Sequence, residues 1–284
     1  MDGLSFLYGT LPGRILLRPL TGRWLSEISG TLLDTRISRL LIPLFIRSNH
    51  IDVSEYDLTR IHSFNDFFCR PLREGRRSVD FTPSHLAAPC DGLLTVYPLQ
   101  KNLVIPVKQS AFTLEGLLRD VALAKHYEGG TCLVFRLCVD HFHRYCYADS
   151  GVKSENRRIA GRFHTVRPIA LAHRPVFTEN TREYTLIRSA CFGTIVQMEV
   201  GAMLVGRICN HEGAANVKRG AEKGMFQYGG STIILLLEKD RVVIDPEIMC
   251  ASSAGTETPV RMGQCVGIAN TGARKSGSGH RKSQ

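Results

Sequence analysis

The chain has 284 residues, 43% hydrophobic and 22% charged, which is enough for one large or two moderate globular domains around a sizeable core. Its longest apolar runs, residues 40–46 and 233–237, are far shorter than the roughly 18–20 residues a membrane span needs, so a transmembrane chain is excluded. A net charge of +10 points to an anionic partner, and with no aromatic stacking motif or helix-turn-helix to read nucleic acid, a negatively charged lipid surface is the expected one.

The N-terminus shows no charged start, apolar stretch and small-residue cleavage site of a secretory signal. Nine cysteines, an odd number without a Cys-x-x-Cys pair, read as reduced thiols in a cytosolic protein, with neither a disulfide nor a zinc framework. From Trp24 to Phe45, apolar residues recur at 24, 25, 28, 32, 33, 37, 40, 41 and 44, near the helical period, predicting one or two amphipathic helices. Arg14, Arg18, Arg23, Arg36, Arg39 and Arg47 accompany them, against Asp2, Glu27 and Asp34 as the acids of the first 50 residues. Such a segment either lies in a membrane interface or folds as a hairpin on its own core.

After about residue 85 the pattern becomes short strands between glycine and polar turns, expected at 93–97, 103–107, 131–138, 194–200, 203–209, 231–238 and 242–244. One helix interrupts them, with Thr113 as N-cap and Glu115 in the first turn. Residues 271–284 are Gly, Ser, Lys and Arg with almost nothing apolar, a disordered basic tail. The expected fold is α+β, a mostly β core behind an N-terminal amphipathic helical region, divided into 1–60, 61–270 and the tail.

Three motifs carry chemistry. Gly229-Gly230-Ser231-Thr232 sets a serine hydroxyl beside an unhindered glycine carbonyl just before a buried strand, which suits attack on the chain's own peptide bond. By itself it is also what a turn entering a strand looks like. Pro89-Cys90-Asp91-Gly92 is a turn that can aim a carboxylate or simply bond its own backbone. His141-Phe142-His143-Arg144-Tyr145-Cys146 offers imidazoles; His-x-His can also ligate a metal, but no third ligand is identified and no metal is expected.

Together with residues 64–72 (FNDFFCRPL), 200–206 (VGAMLVG) and 223–232 (KGMFQYGGST), these motifs stand in the order seen in phosphatidylserine decarboxylases, and the chain resembles that family over residues 4–268 or so. The resemblance implies cleavage between Gly230 and Ser231, leaving a long chain and a short one that remain together. It implies that Ser231 becomes a pyruvoyl group, the self-generated cofactor, whose carbonyl takes the amine of phosphatidylserine as carbon dioxide leaves and phosphatidylethanolamine forms. It also implies an aspartate and histidine that activate the serine, matched by Asp91 and His143. Cys146 stands where the family has a second histidine, and His141 where it has an aspartate, so the base stays open between His143, Cys146 and His164, in 163–166. A strand over 142–147 would put 143, 145 and 147 on one face and Cys146 on the other, which favours His143. Residues 201–206 would approach a ligand closely, and Glu179, Asn180 and Arg182 would support the site. The expected location is peripheral, on the cytoplasmic face of the cell membrane, with a homo-oligomer left open. A pyruvoyl decarboxylase of a soluble amino acid and a non-catalytic membrane-binding relative are the alternatives.

Overall fold

The structure, a computed structural model, describes residues 3–100, 104–107, 110–202, 207–227 and 231–272. Helices α1 (Gly3–Gly9), α2 (Leu11–Leu20) and α3 (Arg23–Leu33), a 3-10 turn (Arg36–Leu41) and α4 (Ile42–Asn49) open the chain. The periodic stretch is thus broken into two helices and a tight turn, because the chain bends at Asp34-Thr35. The apolar period did not reveal α2. It starts at an N-cap, where Thr10 accepts from Gly13 N–H, and Pro12 follows where a missing N–H costs nothing.

The apolar stripe faces outward. Ile37 and Leu40 are 78% and 80% exposed, and Leu11, Ile15, Leu16, Trp24, Ile28, Leu32 and Leu44 are exposed with them. Inward, Ile42 with the partly buried Leu33, Phe45 and Ile46 forms a small separate core against Ile51, Ile61, Phe64, Phe67 and Phe68. The last three belong to α5 (Phe64–Phe68), held by a capping box in which Ser63 accepts from Asp66 N–H and Asp66 from Ser63 N–H.

Strand β1 (His85–Ala87) is followed by β2 (Gly92–Pro98), β3 (Val104–Val107), β4 (Ser110–Thr113) and β5 (Thr131–Leu137). Next come β6 (Arg144–Cys146), β7 (Gly151–Lys153), β8 (Arg157–Ile159), β9 (Arg182–Ser189) and β10 (Gly193–Val200). The series ends with β11 (Ile208–Asn210), β12 (Ala215–Val217), β13 (Glu222–Phe226), β14 (Ser231–Leu237), β15 (Val242–Ile244), β16 (Thr258–Val260) and β17 (Cys265–Ala269). An antiparallel sheet in the order β12-β7-β9-β10-β14-β5-β2-β16, with β8 also on β9, forms the middle of the molecule. The mixed α+β architecture is the expected one. Thr113 does cap a helix, α6 (Leu114–Leu118), by accepting from Gly116 N–H. The expected single helix is joined by α7 (Val121–His126), α8 (Pro168–His173), α9 (Val176–Glu179) and α10 (Pro246–Ser253).

Every residue of β14 is buried, because cores lie on both sides of its sheet. Ile234 and Leu236 point to the helix-covered core with Leu114, Leu117, Phe177 and Tyr8. Ile233, Leu235 and Leu237 point the other way, onto Tyr145 and Phe226 of the small sheet β11-β13-β6. This two-sided burial explains the uninterrupted apolar run 233–237, which alternation alone would not produce.

Candidate active site

Ser231 is the first residue of β14 and lies opposite Leu137, the last residue of β5. Thr232 lies opposite Val200, the last residue of β10, and Leu93 of β2 opposite Arg136. One end of the central sheet therefore collects the start of β14, the ends of β5 and β10, and the Asp91 turn that enters β2. Ser231 and Gly92 sit two strands apart, on the order of 10 Å at ordinary strand spacing. Gly92 is needed at this crowded end, since a Cβ there would come within 3.0 Å of Arg136 O. By strand alternation Ser231 shares the face of Ile233, the face covered by the β11-β13-β6 sheet. Its hydroxyl is 1% exposed and finds no partner among the described residues; Gly230, the other half of the expected scissile bond, lies outside them.

Asp91 is buried and held by Arg77, whose Nε donates to Oδ1 at 2.9 Å, and by Met262 N–H at 2.8 Å. Arg77 also donates to Glu55 at 2.9 Å, which anchors the guanidinium beside the turn. The expectation that Asp91 directly orients His143 is not met by a hydrogen bond. His143 Nδ1 donates instead to His141 O at 2.9 Å, leaving Nε2 as the unprotonated nitrogen of the neutral ring. Nε2 is buried without a partner among the described residues. The ring stacks on Phe68 at 4.0 Å between centroids, and burial, with the Arg70 charge next, drives its pKa well below the usual imidazole range. Phe226 N–H donates to His143 O at 2.9 Å, so His143 borders the small sheet that covers the Ser231 face. His141 Nδ1 accepts from Cys138 N–H at 3.0 Å, and burial lowers the pKa of this imidazole against the opposing charges of Asp140 and then Asp91.

The strand expected over 142–147 is only β6, Arg144–Cys146, and both of its faces are buried, so alternation does not sort a wet side from a packed one here. Cys146 is buried behind the Asp91 turn, its N–H donating to Pro89 O at 2.8 Å, and burial pushes its thiol up to about 12. His164 has both nitrogens engaged, with Tyr8 Oη 3.3 Å from Nδ1 and Glu179 Oε2 3.2 Å from Nε2. Asn180 accepts from His164 N–H at 2.9 Å and donates to His164 O and Gly201 O at 2.8 and 2.7 Å. It thereby fixes the start of the 201–206 segment, of which 203–206 lie outside the described residues. Arg182 is buried and donates to the carbonyls of Gly116, Leu117, Thr178 and Asn180, with bonds of 2.7 to 2.9 Å.

Sequence reasoning missed Arg77, one of four arginines in 70–77 that nothing local singles out. It also missed a buried ion pair on the Ser231 face, Lys223 Nζ to Glu199 Oε2 at 2.7 Å. Glu199 lies opposite Ile233, so the pair sits beside the strand that Ser231 begins. Gly224 beside it is forced by contact, because a Cβ would lie 2.2 Å from Cys209 O. A cavity of about 410 Å³ opens between α3 and the sheets, where Glu27, Asp34, Arg158 and Arg207 bring both signs of charge to Gln227. Gln227 is followed after three residues by Ser231. Elsewhere, Asp80, His85 and Cys265 offer metal-type ligands within 4.8 Å of one another, but Asp80 and His85 already bind each other at 2.7 Å.

Ser231 thus heads a doubly buried strand, the His143 imidazole borders the small sheet that covers its face, and the clamped Asp91 carboxylate enters the same end of the central sheet. Residues 64–268 match the phosphatidylserine decarboxylase family, and the chain belongs to it. It is an enzyme, a decarboxylase of that family. The chain is 42% identical over 268 residues to phosphatidylserine decarboxylase proenzyme 2 of Clostridium acetobutylicum, covering 94% of this chain and 92% of that one. It is 38% identical over 247 residues to the phosphatidylserine decarboxylase proenzyme of Clostridium perfringens, covering 85% and 84%. It is 37% identical over 270 residues to that of Ruminiclostridium cellulolyticum, covering 93% and 90%.

Proposed function

We propose that the chain is a proenzyme that cuts itself between Gly230 and Ser231 and then converts phosphatidylserine to phosphatidylethanolamine and carbon dioxide at the same residue. The observation that carries this is the buried Ser231 hydroxyl, which lacks a partner among the described residues at the head of β14. A buried hydroxyl without a hydrogen bond costs free energy, and its retention suits a nucleophile whose partner is the bond it attacks. The same orphaned atom fits the family's pyruvoyl group, which would be made from Ser231 and would act as an electron sink for loss of the carboxylate.

In processing, His143 Nε2 takes the Ser231 proton as the oxygen attacks the Gly230 carbonyl. The peptide becomes an ester, elimination then frees the Gly230 carboxylate, and hydrolysis of the remaining dehydroalanine releases ammonia. His143 is suited to this because burial keeps it neutral and its Nδ1 proton is committed to His141 O. Asp91, fixed by Arg77, adds its charge to that of Asp140 around His141, where both favour a positive imidazole against the cost of burial. The cavity beside Gln227, lined by the carboxylates of Glu27 and Asp34 and the guanidiniums of Arg158 and Arg207, suits a headgroup carrying an amine, a carboxylate and a phosphate.

The remaining expectations are retained as part of this reading: residues 1–60 as the membrane-associating region, 61–270 as the catalytic part, and a peripheral position on the cytoplasmic face. The outward apolar stripe of α2 to α4 with its arginines supports docking on an anionic surface. The 54 residues after Gly230 (284 − 230) would stay with the long chain, since β14 hydrogen-bonds on both sides to strands preceding the cut. The test is a denaturing gel and mass spectrometry of purified protein. Wild type should yield a short chain with a blocked, pyruvoyl N-terminus, and Ser231→Ala a single uncleaved band without activity. A short chain with an ordinary serine amine would overturn the mechanism.

A further inference from the structure

A second cavity of about 310 Å³ lies under α2, lined by Arg14, Arg18, Arg162 and Arg174 together with His164 and Glu179. Arg14 and Arg18 are one helical turn apart and so lie on one side of α2; Arg162 and Arg174 come from the segments flanking α8. Four guanidiniums line this cavity with one carboxylate, that of Glu179. That carboxylate is already engaged, by His164 Nε2 at 3.2 Å and Arg174 at 3.8 Å. Among the described residues Arg14 donates to Thr10 O, at 3.4 Å. One carboxylate offsets only part of this positive charge, which favours an anion in the cluster.

The position says which anion. On α2 the same helix exposes Leu11, Ile15 and Leu16, so with these side chains among lipid tails the arginines stand at headgroup depth. Guanidiniums bind phosphate oxygens in pairs, and several around one cavity suit a phosphate group better than a lone carboxylate. We propose that this cavity binds the phosphate of an anionic membrane phospholipid, distinct from the substrate pocket beside Gln227. The inference rests on the membrane-docking part of the proposed function. Asn180, bonded to both His164 and Gly201, links the cavity wall to the segment beside the active site.

The probe is co-sedimentation of the full chain with phosphatidylglycerol/phosphatidylcholine vesicles, because phosphatidylglycerol has neither amine nor carboxylate and is not decarboxylated. Arg14→Gln/Arg18→Gln is compared with Arg36→Gln/Arg39→Gln, which removes the same charge from exposed positions of the N-terminal region that do not line the cavity. The cavity pair should need about tenfold more lipid for half-binding than the control pair. Arg162→Gln/Arg174→Gln, from the other wall, should reproduce that loss, so an unfolding artefact in one variant does not decide the matter. Equal losses in cavity and control pairs would show diffuse surface attraction and overturn the site. A melting temperature raised as much by inorganic phosphate alone as by the vesicles, and only when the arginines are intact, would assign a free phosphate and overturn the lipid. Docking itself fails separately if the wild-type chain ignores anionic vesicles, whereas gel and activity assays in detergent report on cleavage and decarboxylation.

Discussion

Arg77 grips both carboxylate oxygens of Asp91, with Nε 2.9 Å from Oδ1 and 3.2 Å from Oδ2, while Met262 N–H holds Oδ1 from the other side. Asp91 is thus a fixed charge, and its influence on His141 is electrostatic. Arg77→Gln should leave a buried carboxylate unpaired, lowering stability by about 3 kcal/mol, the low end for breaking a buried pair. Arg77→Gln/Asp91→Asn should lose clearly less than the sum of the two single changes. Thermal melts of variants in the uncleavable Ser231→Ala background check this; strict additivity would mean the pair is not coupled.

His143 and Cys146 are separated by their environments. His143 offers a neutral Nε2 without a partner among the described residues, whereas the Cys146 thiol is pushed up to about 12 by burial and is protonated at neutral pH. His143→Ala should slow self-cleavage by on the order of 10²-fold or more, and Cys146→Ser should process at close to the wild-type rate. Time courses of precursor loss decide between them, and the opposite ranking would move the base to Cys146.

The lowered pKa of His143 has a consequence with a definite sign. The folded state binds its proton less readily than the unfolded chain, so this group's contribution is fully present above pH 6.5 and is lost as pH falls from there through the folded pKa. Self-cleavage should therefore persist below pH 6.5. In the Ser231→Ala background, stability should fall by up to about 1.4 kcal/mol per pH unit below that point on account of this residue. His143→Phe should flatten the fall, measured as denaturation midpoints across pH 7 to 5.

The exposed stripe predicts dependence on a bilayer. Leu40→Glu/Leu44→Glu removes two side chains whose burial in lipid is worth about 1.5–3 kcal/mol each when complete. Activity on phosphatidylserine vesicles should drop at least tenfold, with self-cleavage unchanged. Equal activity on vesicles for wild type and variant would assign the stripe to another partner.

What the sequence determined by itself was local. Thr113 as a helix cap, the strands at 93–97, 131–138, 231–238 and 242–244, and the Gly230-Ser231 motif are set by neighbours in the chain, and all but Gly230 are found where expected. Five ordered motifs were enough to reveal the family, because each constrains the same chain independently. The sequence left the direction of the N-terminal stripe open, since a helical period gives the width of an apolar face but not what it meets; packing of Leu33, Phe45 and Ile46 inward decided it. It paired Asp91 with His143 from the resemblance, while Arg77, fourteen residues before Asp91, is brought to the carboxylate only by the fold. It ranked His143 above Cys146 by strand alternation, a rule that presumes one wet face. Tertiary packing buried both faces and separated the two residues by burial and hydrogen bonding instead: an imidazole nitrogen without a partner among the described residues on one, a sealed thiol on the other.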